Sequence, residues 1–135
     1  MDYDTFISEV SRRAHVDSEV AVALTRATLA TLQERLTGGE ALDLAAQLPL
    51  PLQTLMSPRP QDERAEHVDR SEFVGRVAER AQVHAHTAQS GVRAVFVTMR
   101  DAITGEEFDD VVVQFPEDYR DLVEPAMAPR ESYLD

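Results

Sequence analysis

The chain repeats itself at a fixed spacing, and no other feature of the sequence constrains its fold as much. Residues 2–56 align without a gap with residues 69–123, at a constant offset of 67. Asp2, Phe6, Val10, Arg13, Ala14 and Val16 recur as Asp69, Phe73, Val77, Arg80, Ala81 and Val83. Ala21, Arg26, Ala27 and Thr31 recur as Ala88, Arg93, Ala94 and Thr98. Thr37, Gly38, Glu40, Asp43, Gln47 and Pro49 recur as Thr104, Gly105, Glu107, Asp110, Gln114 and Pro116. Blocks of this kind read as a tandem duplication. A unit this short buries little of its surface alone, so the two copies are expected to share one core around a pseudo-twofold axis.

The repeat lets each structural expectation be drawn twice. A first helix is predicted to open at Asp4 and at Ser71, both good N-cap residues. Its apolar positions Phe6, Ile7, Val10 and Ala14 answer to Phe73, Val74, Val77 and Ala81, which is helical spacing. A second helix is predicted over roughly 18–36 and 85–103. Its stripe reads Ala21, Thr25, Thr28, Leu32, Leu36 in one copy and Ala88, Val92, Val95, Met99, Ile103 in the other, widened by Leu29 and Phe96. A third helix follows a turn in which Gly38 is expected to take a positive φ. Thr37 with Glu40, and Thr104 with Glu107, have the spacing of a capping box. Val111-Val112-Val113 alone resembles a strand, but Leu44-Ala45-Ala46 occupies the same place in the first copy, which argues for helix. The fold class is therefore all-α: a three-to-four-helix unit used twice and packed as one helical domain. The first repeat is assigned to 1–57, a linker to 58–68, the second repeat to 69–124 and a loose tail to 125–135, where Pro125 and Pro129 stand.

Charge and composition narrow the function. The chain has 25 acidic residues and 13 basic ones, all Arg, for a net −12. A phosphate backbone or an anionic membrane surface is repelled by such a field, so neither nucleic acid nor membrane is expected as partner. Without Cys there is no disulfide, thiol nucleophile or thiolate metal site. No basic–apolar signal pattern or long apolar run stands out, so a cytoplasmic location is expected.

The run Arg26-Ala27, Thr37-Gly38-Gly39-Glu40-Ala41 and Ala45-Ala46-Gln47-Leu48-Pro49 resembles the bacterial domain-of-unknown-function family numbered 2267. Tyr3-Asp4-x-Phe6 and Val113-Gln114-Phe115-Pro116 fit the same pattern, and the resemblance spans about residues 1–124. It implies a small duplicated helical protein and supplies no catalytic residues.

Candidate sites are few. His84 and His86 are the one compact pair of metal-ligand types, but two residues apart on a helix they point about 200° from each other and do not chelate together. Arg26 and Arg93 are kept by the repeat and sit beside the apolar stripe. Asp43 and Asp110, or Glu40 and Glu107, are the nearest candidates for a bidentate clamp between the second and third helices. Nine acids fall between Asp101 and Glu124, and those around Asp109 lie where a helix N-terminus favours them. The expected function is a non-catalytic module acting through protein contacts, as a homo-oligomer or with a partner protein. Leu50, Leu52, Leu55 and Met56 are the expected contact patch, and no cofactor or metal is assigned. The alternative is a metal- or small-anion-binding protein or enzyme, using His84, His86 and the acids near Asp109, or Arg26 and Arg93 as an anion site.

Overall fold

Asp2 starts the first helix, α1 (Tyr3–Ala14), with a side-chain oxygen that accepts from Thr5 N–H at 2.8 Å. Asp69 does the same for α5 (Arg70–Ala81), accepting from Glu72 N–H at 2.8 Å. These caps correct the expected ones by two residues: Asp4 and Ser71 lie inside the helices. An aspartate satisfies an orphan N–H of the first turn wherever the chain is extended just before it, and Asp2 and Asp69 both have that backbone. The computed structural model describes residues 1–56, 66–103, 107–112 and 115–127.

Both helices end on a left-handed residue, His15 and Gln82, each with φ of 57°. This turn reverses the chain into α2 (Ser18–Arg35) and α6 (Ala85–Ala102). The first helical pair and the second thus have identical lengths and bounds 67 residues apart. The anticipated stripes are the inward faces: Ala21, Thr25, Thr28, Leu32 and Leu36 are buried, as are Ala88, Val92, Val95, Met99 and Ile103.

Thr37 caps α3 (Gly38–Ala45) with a complete capping box. Glu40 N–H donates to Thr37 Oγ1 at 3.1 Å, and Thr37 N–H donates to Glu40 Oε1 at 2.8 Å. Gly38 is the first residue of that helix, so its backbone is helical and not left-handed as expected. The matching box of Thr104 and Glu107 lies outside the described residues. Beyond it, α7 (Glu107–Val112) is helical in spite of its valines. A short α4 (Leu50–Gln53) runs into a 3-10 turn over Thr54–Met56. In the second half a 3-10 turn over Glu117–Tyr119 precedes a longer α8 (Arg120–Met127).

Two expectations about boundaries change. Val68, placed in the linker, is fully buried, its carbonyl accepts from the Tyr119 hydroxyl, and Glu66 N–H donates to Glu34 O at 2.8 Å. The remainder of that linker, residues 57–65, lies outside the described residues. Of the tail expected from 125, residues 125–127 continue α8 through Pro125, with Ala126 buried, and the rest lies outside the described residues. Proline lacks the N–H that would bond the carbonyl four residues back, here that of Asp121. Arg93 Nε–H supplies the missing donor at 3.0 Å.

Among the described residues the helices surround one apolar core in which the halves interlock. α1 packs on α6 and on α2, α5 packs on α2 and on α6, and α2 crosses α6 between them. The second half fills its share with rings: Phe73, Phe96, Phe108, Phe115 and Tyr119 form a chain with centroids 5.0 to 6.2 Å apart. Such contacts add about 0.5–1.5 kcal/mol per pair beyond burial. At the α2–α6 crossing Leu24 lies against Gly91, the position 67 residues on from it. A Cβ at Gly91 would stand 2.5 Å from Leu24 Cδ2. Leucine and glycine thus divide between them a space that holds a single large side chain.

Gly91→Leu should therefore cost about 1–3 kcal/mol of stability through overpacking, and Leu24→Gly about 3–5 kcal/mol through a cavity. The double variant should recover much of this in urea unfolding. Losses that simply add would contradict a shared site at the crossing.

Candidate functional site

The polar groups that join the halves sit at the ends of the interlocked helices. Arg13, in the last turn of α1, reaches across to α6. Its Nη1 donates to Thr98 Oγ1 at 2.9 Å and its Nη2 to Asp101 Oδ2 at 2.7 Å. Arg80, in the last turn of α5, reaches α2 in the same manner, donating to Thr31 Oγ1 at 2.9 Å and to both Glu34 oxygens at 2.8 and 3.0 Å. Each position of one clamp lies 67 residues from its match in the other. The two threonines are fully buried, and each hydroxyl also donates to the carbonyl four residues back, Ala27 or Ala94, at 2.8 Å. No hydroxyl of a clamp is left unsatisfied, which a buried polar group requires.

Glu34 carries a further arginine, Arg76, at 2.9 Å. Burial pushes the Glu34 carboxyl up, but the hydrogen bonds from Arg80 and Arg76 outweigh it and hold the group below the usual carboxylate value. A third cluster ties α5, α6 and α8 together. Asp121 accepts from Arg70 at 2.6 and 2.7 Å and from Arg93 at 2.9 Å. The Arg70 hydrogen bond is the largest influence on it; with that from Arg93 it overcomes the cost of burial and holds the Asp121 carboxyl at about 2.

The residues singled out from sequence are thus distributed differently from expectation. Arg93 meets Asp121 of α8, and it is this carboxylate, not Asp110, that holds its guanidinium. Arg26 and Asp43 are both exposed, and no ion pair joins them among the described residues. The asymmetry has a simple origin: the position matching Asp121 in the first half is Thr54, which offers no charge to Arg26. His84 caps α6 and His86 lies in its first turn, both exposed, whereas Asp109 pairs with Arg100 near the other end of the same helix at 3.4 Å. Sixteen residues of helix put His84 and Arg100 ~24 Å apart, so these histidines and Asp109 do not converge. Among the described residues no three His, Asp or Glu side chains are grouped to hold a metal ion. Sequence reasoning passed over Arg13 and Arg80 as functional positions. Their recurrence together with Thr31 and Thr98, and with an acid at 34 and 101, was the available signal.

Two concavities among the described residues bear on these side chains. A groove of about 830 Å³ runs between the end of α1, the middle of α6 and α8, with Arg12, Arg13 and Arg93 on its rim. A shallower hollow of about 310 Å³ lies at the α3–α4 elbow between Leu42, Ala45 and Leu50. Leu50 is 74% exposed there and Leu42 37%, while Leu52 and Met56, expected in a contact patch with Leu50, are buried in the core.

Helices interlocked through arginine clamps define a helical module. It belongs to the family described as "Uncharacterized conserved protein (DUF2267)", whose model matches residues 3–122. No curated protein matches the chain. Among the described residues no helix is long and apolar enough to cross a membrane.

The Asp121 cluster yields a pH test. A carboxyl held at about 2 in the fold against an ordinary 3.8 stabilises the folded state above pH ~4, and this contribution disappears as pH falls from about 4 toward 2. Asp121→Asn should cost about 1 kcal/mol at pH 7 after allowing for solvent screening of a half-exposed group. The gap between variant and parent in urea midpoint should shrink to about a third of its pH 7 size by pH 2.5 and go on closing below that. A gap independent of pH would contradict the cluster.

Proposed function

We propose that the chain is a non-catalytic helical module that works through protein contacts, and that its contact face is the α3–α4 elbow. The observation that carries this reading is Leu50, which stands 74% exposed beside Leu42 around an apolar hollow. Large apolar side chains grouped on a surface are what a partner covers. The acids and histidines give the reading support of another kind, since they are spread along helices or paired with arginines and do not face one another across a cleft.

We further propose that the chain arose by tandem duplication of one helical unit, its copies related by a pseudo-twofold axis through the α2–α6 crossing. The matching bounds of α1 with α5 and α2 with α6, and the paired arginine clamps, support this reading. The elbow is where the copies differ: Leu42 and Leu50 answer to Asp109 and Glu117 in the second half. Contact through the elbow is therefore a property of the first half alone.

Capture from native cell extract tests the reading, with the full chain and its Leu50→Glu variant as baits. The parent should retain a defined protein, or a second copy of itself, that the variant loses. Because Leu50 is exposed, the variant should melt within about 0.5 kcal/mol of the parent. Identical capture by both baits, or none by either, would overturn the proposal.

A further inference from the structure

The groove between α1, α6 and α8 is rich in arginine on an acidic molecule. The molecule carries a net −12, yet the lining of this groove holds Arg12, Arg13 and Arg93 against the single acid Asp101, a local balance of +2. Two carboxylates beside it, Glu9 and Asp121, are already engaged: Glu9 holds Arg12 along α1 and lies 3.7 Å from Arg13, and Asp121 is shared by Arg70 and Arg93. Donor capacity remains. Arg12 contacts Glu9 through Nε and Nη2, and Arg93 contacts Asp121 through Nε and Nη2, so in each case Nη1 makes no hydrogen bond among the described residues. Arg12 is moreover held only by a pair along its own helix, with its side chain 67% exposed, an interaction that contributes little and yields readily to a better acceptor.

The groove floor is apolar. Ala94 is buried at its base, Val97 is half-buried beside it, and Pro125 of α8 forms a wall. Ser90 adds a hydroxyl on the same face of α6 as Arg93 and Val97, one turn to either side. Guanidinium groups with spare N–H donors, placed around an apolar floor, match a ligand that is anionic at one end and apolar at the other. About 830 Å³ falls within the range of small-molecule sites, ~300–1,000 Å³.

The corresponding surface of the other half is an internal control. Shifted by 67 residues, Arg12 becomes Glu79 while Arg13 becomes Arg80, Arg93 becomes Arg26 and Asp101 becomes Glu34. That surface sums to zero, two arginines against two glutamates, and its Ser90 position is Ala23. Between the matched linings the difference in charge lies at position 12, while beside them the reversal runs the other way, Glu9 answering to Arg76, so the two surfaces arrange their charge differently.

We propose that the groove at Arg12, Arg13 and Arg93 binds a small organic anion, a phosphate or carboxylate head on a short apolar body, free in solution. The charge of the whole chain disfavours approach to an anionic lipid surface, which leaves a soluble ligand as the source of that head group. The site is separate from the α3–α4 elbow and does not depend on what covers the elbow.

The test is a titration of the full ¹⁵N-labelled chain with hexyl phosphate at low salt. Saturable shifts are expected at Ser90, Ala94 and Val97 and at the Arg93 side-chain Nε–H, with inorganic phosphate binding more weakly. Arg12→Glu, an exposed change that leaves the core intact, should weaken hexyl phosphate by about tenfold, and Arg26→Glu, with the same change in charge outside the groove, by less than about twofold. Absence of saturable shifts, shifts located elsewhere, or equal losses in the two variants would overturn the proposal. Pelleting with phosphatidic acid vesicles in the absence of any response to hexyl phosphate would overturn the assignment to a soluble ligand.

Discussion

The structure depends on the docking of each first helix upon the opposite half's second helix. α1 lies on α6 and α5 lies on α2, so neither half contains its own complete core. The apolar stripes alone make this arrangement favourable but leave the sliding and rotation of the helices loosely fixed. The clamps of Arg13 with Thr98 and Asp101, and of Arg80 with Thr31 and Glu34, remove that freedom. Each places a guanidinium over a buried hydroxyl that already bonds its own helix backbone, so the direction of the incoming arginine is set. Because the charged ends stay partly exposed, the desolvation cost remains small while the geometric requirement is strict.

Much of this was legible from the repeat. Two independent copies of each apolar stripe gave α2 and α6 within a residue of their ends, and the Thr37–Glu40 spacing gave a capping box that forms as drawn. Comparison of the copies also overruled the strand-like appearance of Val111-Val112-Val113, since α7 is helical through Val112. The failures share a cause: each concerns a contact made by residues distant in sequence. Pro125 ends a helix in isolation, and only Arg93, arriving from α6, lets α8 continue past it. The repeat suggests Asp110 or Glu107 as the partner of Arg93, while the structure offers it Asp121 from a segment whose helical length the sequence understates. Val68 read as linker because its neighbours are polar, although its side chain is fully buried and its carbonyl anchors Tyr119.

The differences between matching positions carry as much information as the identities. At the α2–α6 crossing two leucines would collide and two glycines would leave a void; Leu24 and Gly91 resolve this by being unlike. Thr54 against Asp121 decides which of Arg26 and Arg93 is fixed to the fold. Arg12 against Glu79 and Glu9 against Arg76 set how charge is arranged on two similar surfaces, and Leu50 against Glu117 sets which elbow is apolar. The identities hold the scaffold, and the departures from it give its two grooves different chemistry.

Native-state hydrogen exchange tests the interlock most directly, comparing α2 and α6 amides in the parent and in Arg13→Ala. Of these two helices Arg13 hydrogen-bonds to α6. If neither half stands without the other, the most protected amides of both helices open together, and the variant lowers their opening free energies equally, by about 1 kcal/mol. Loss of protection in α6 with α2 unchanged would contradict the account, because it would mean that each half keeps a core of its own.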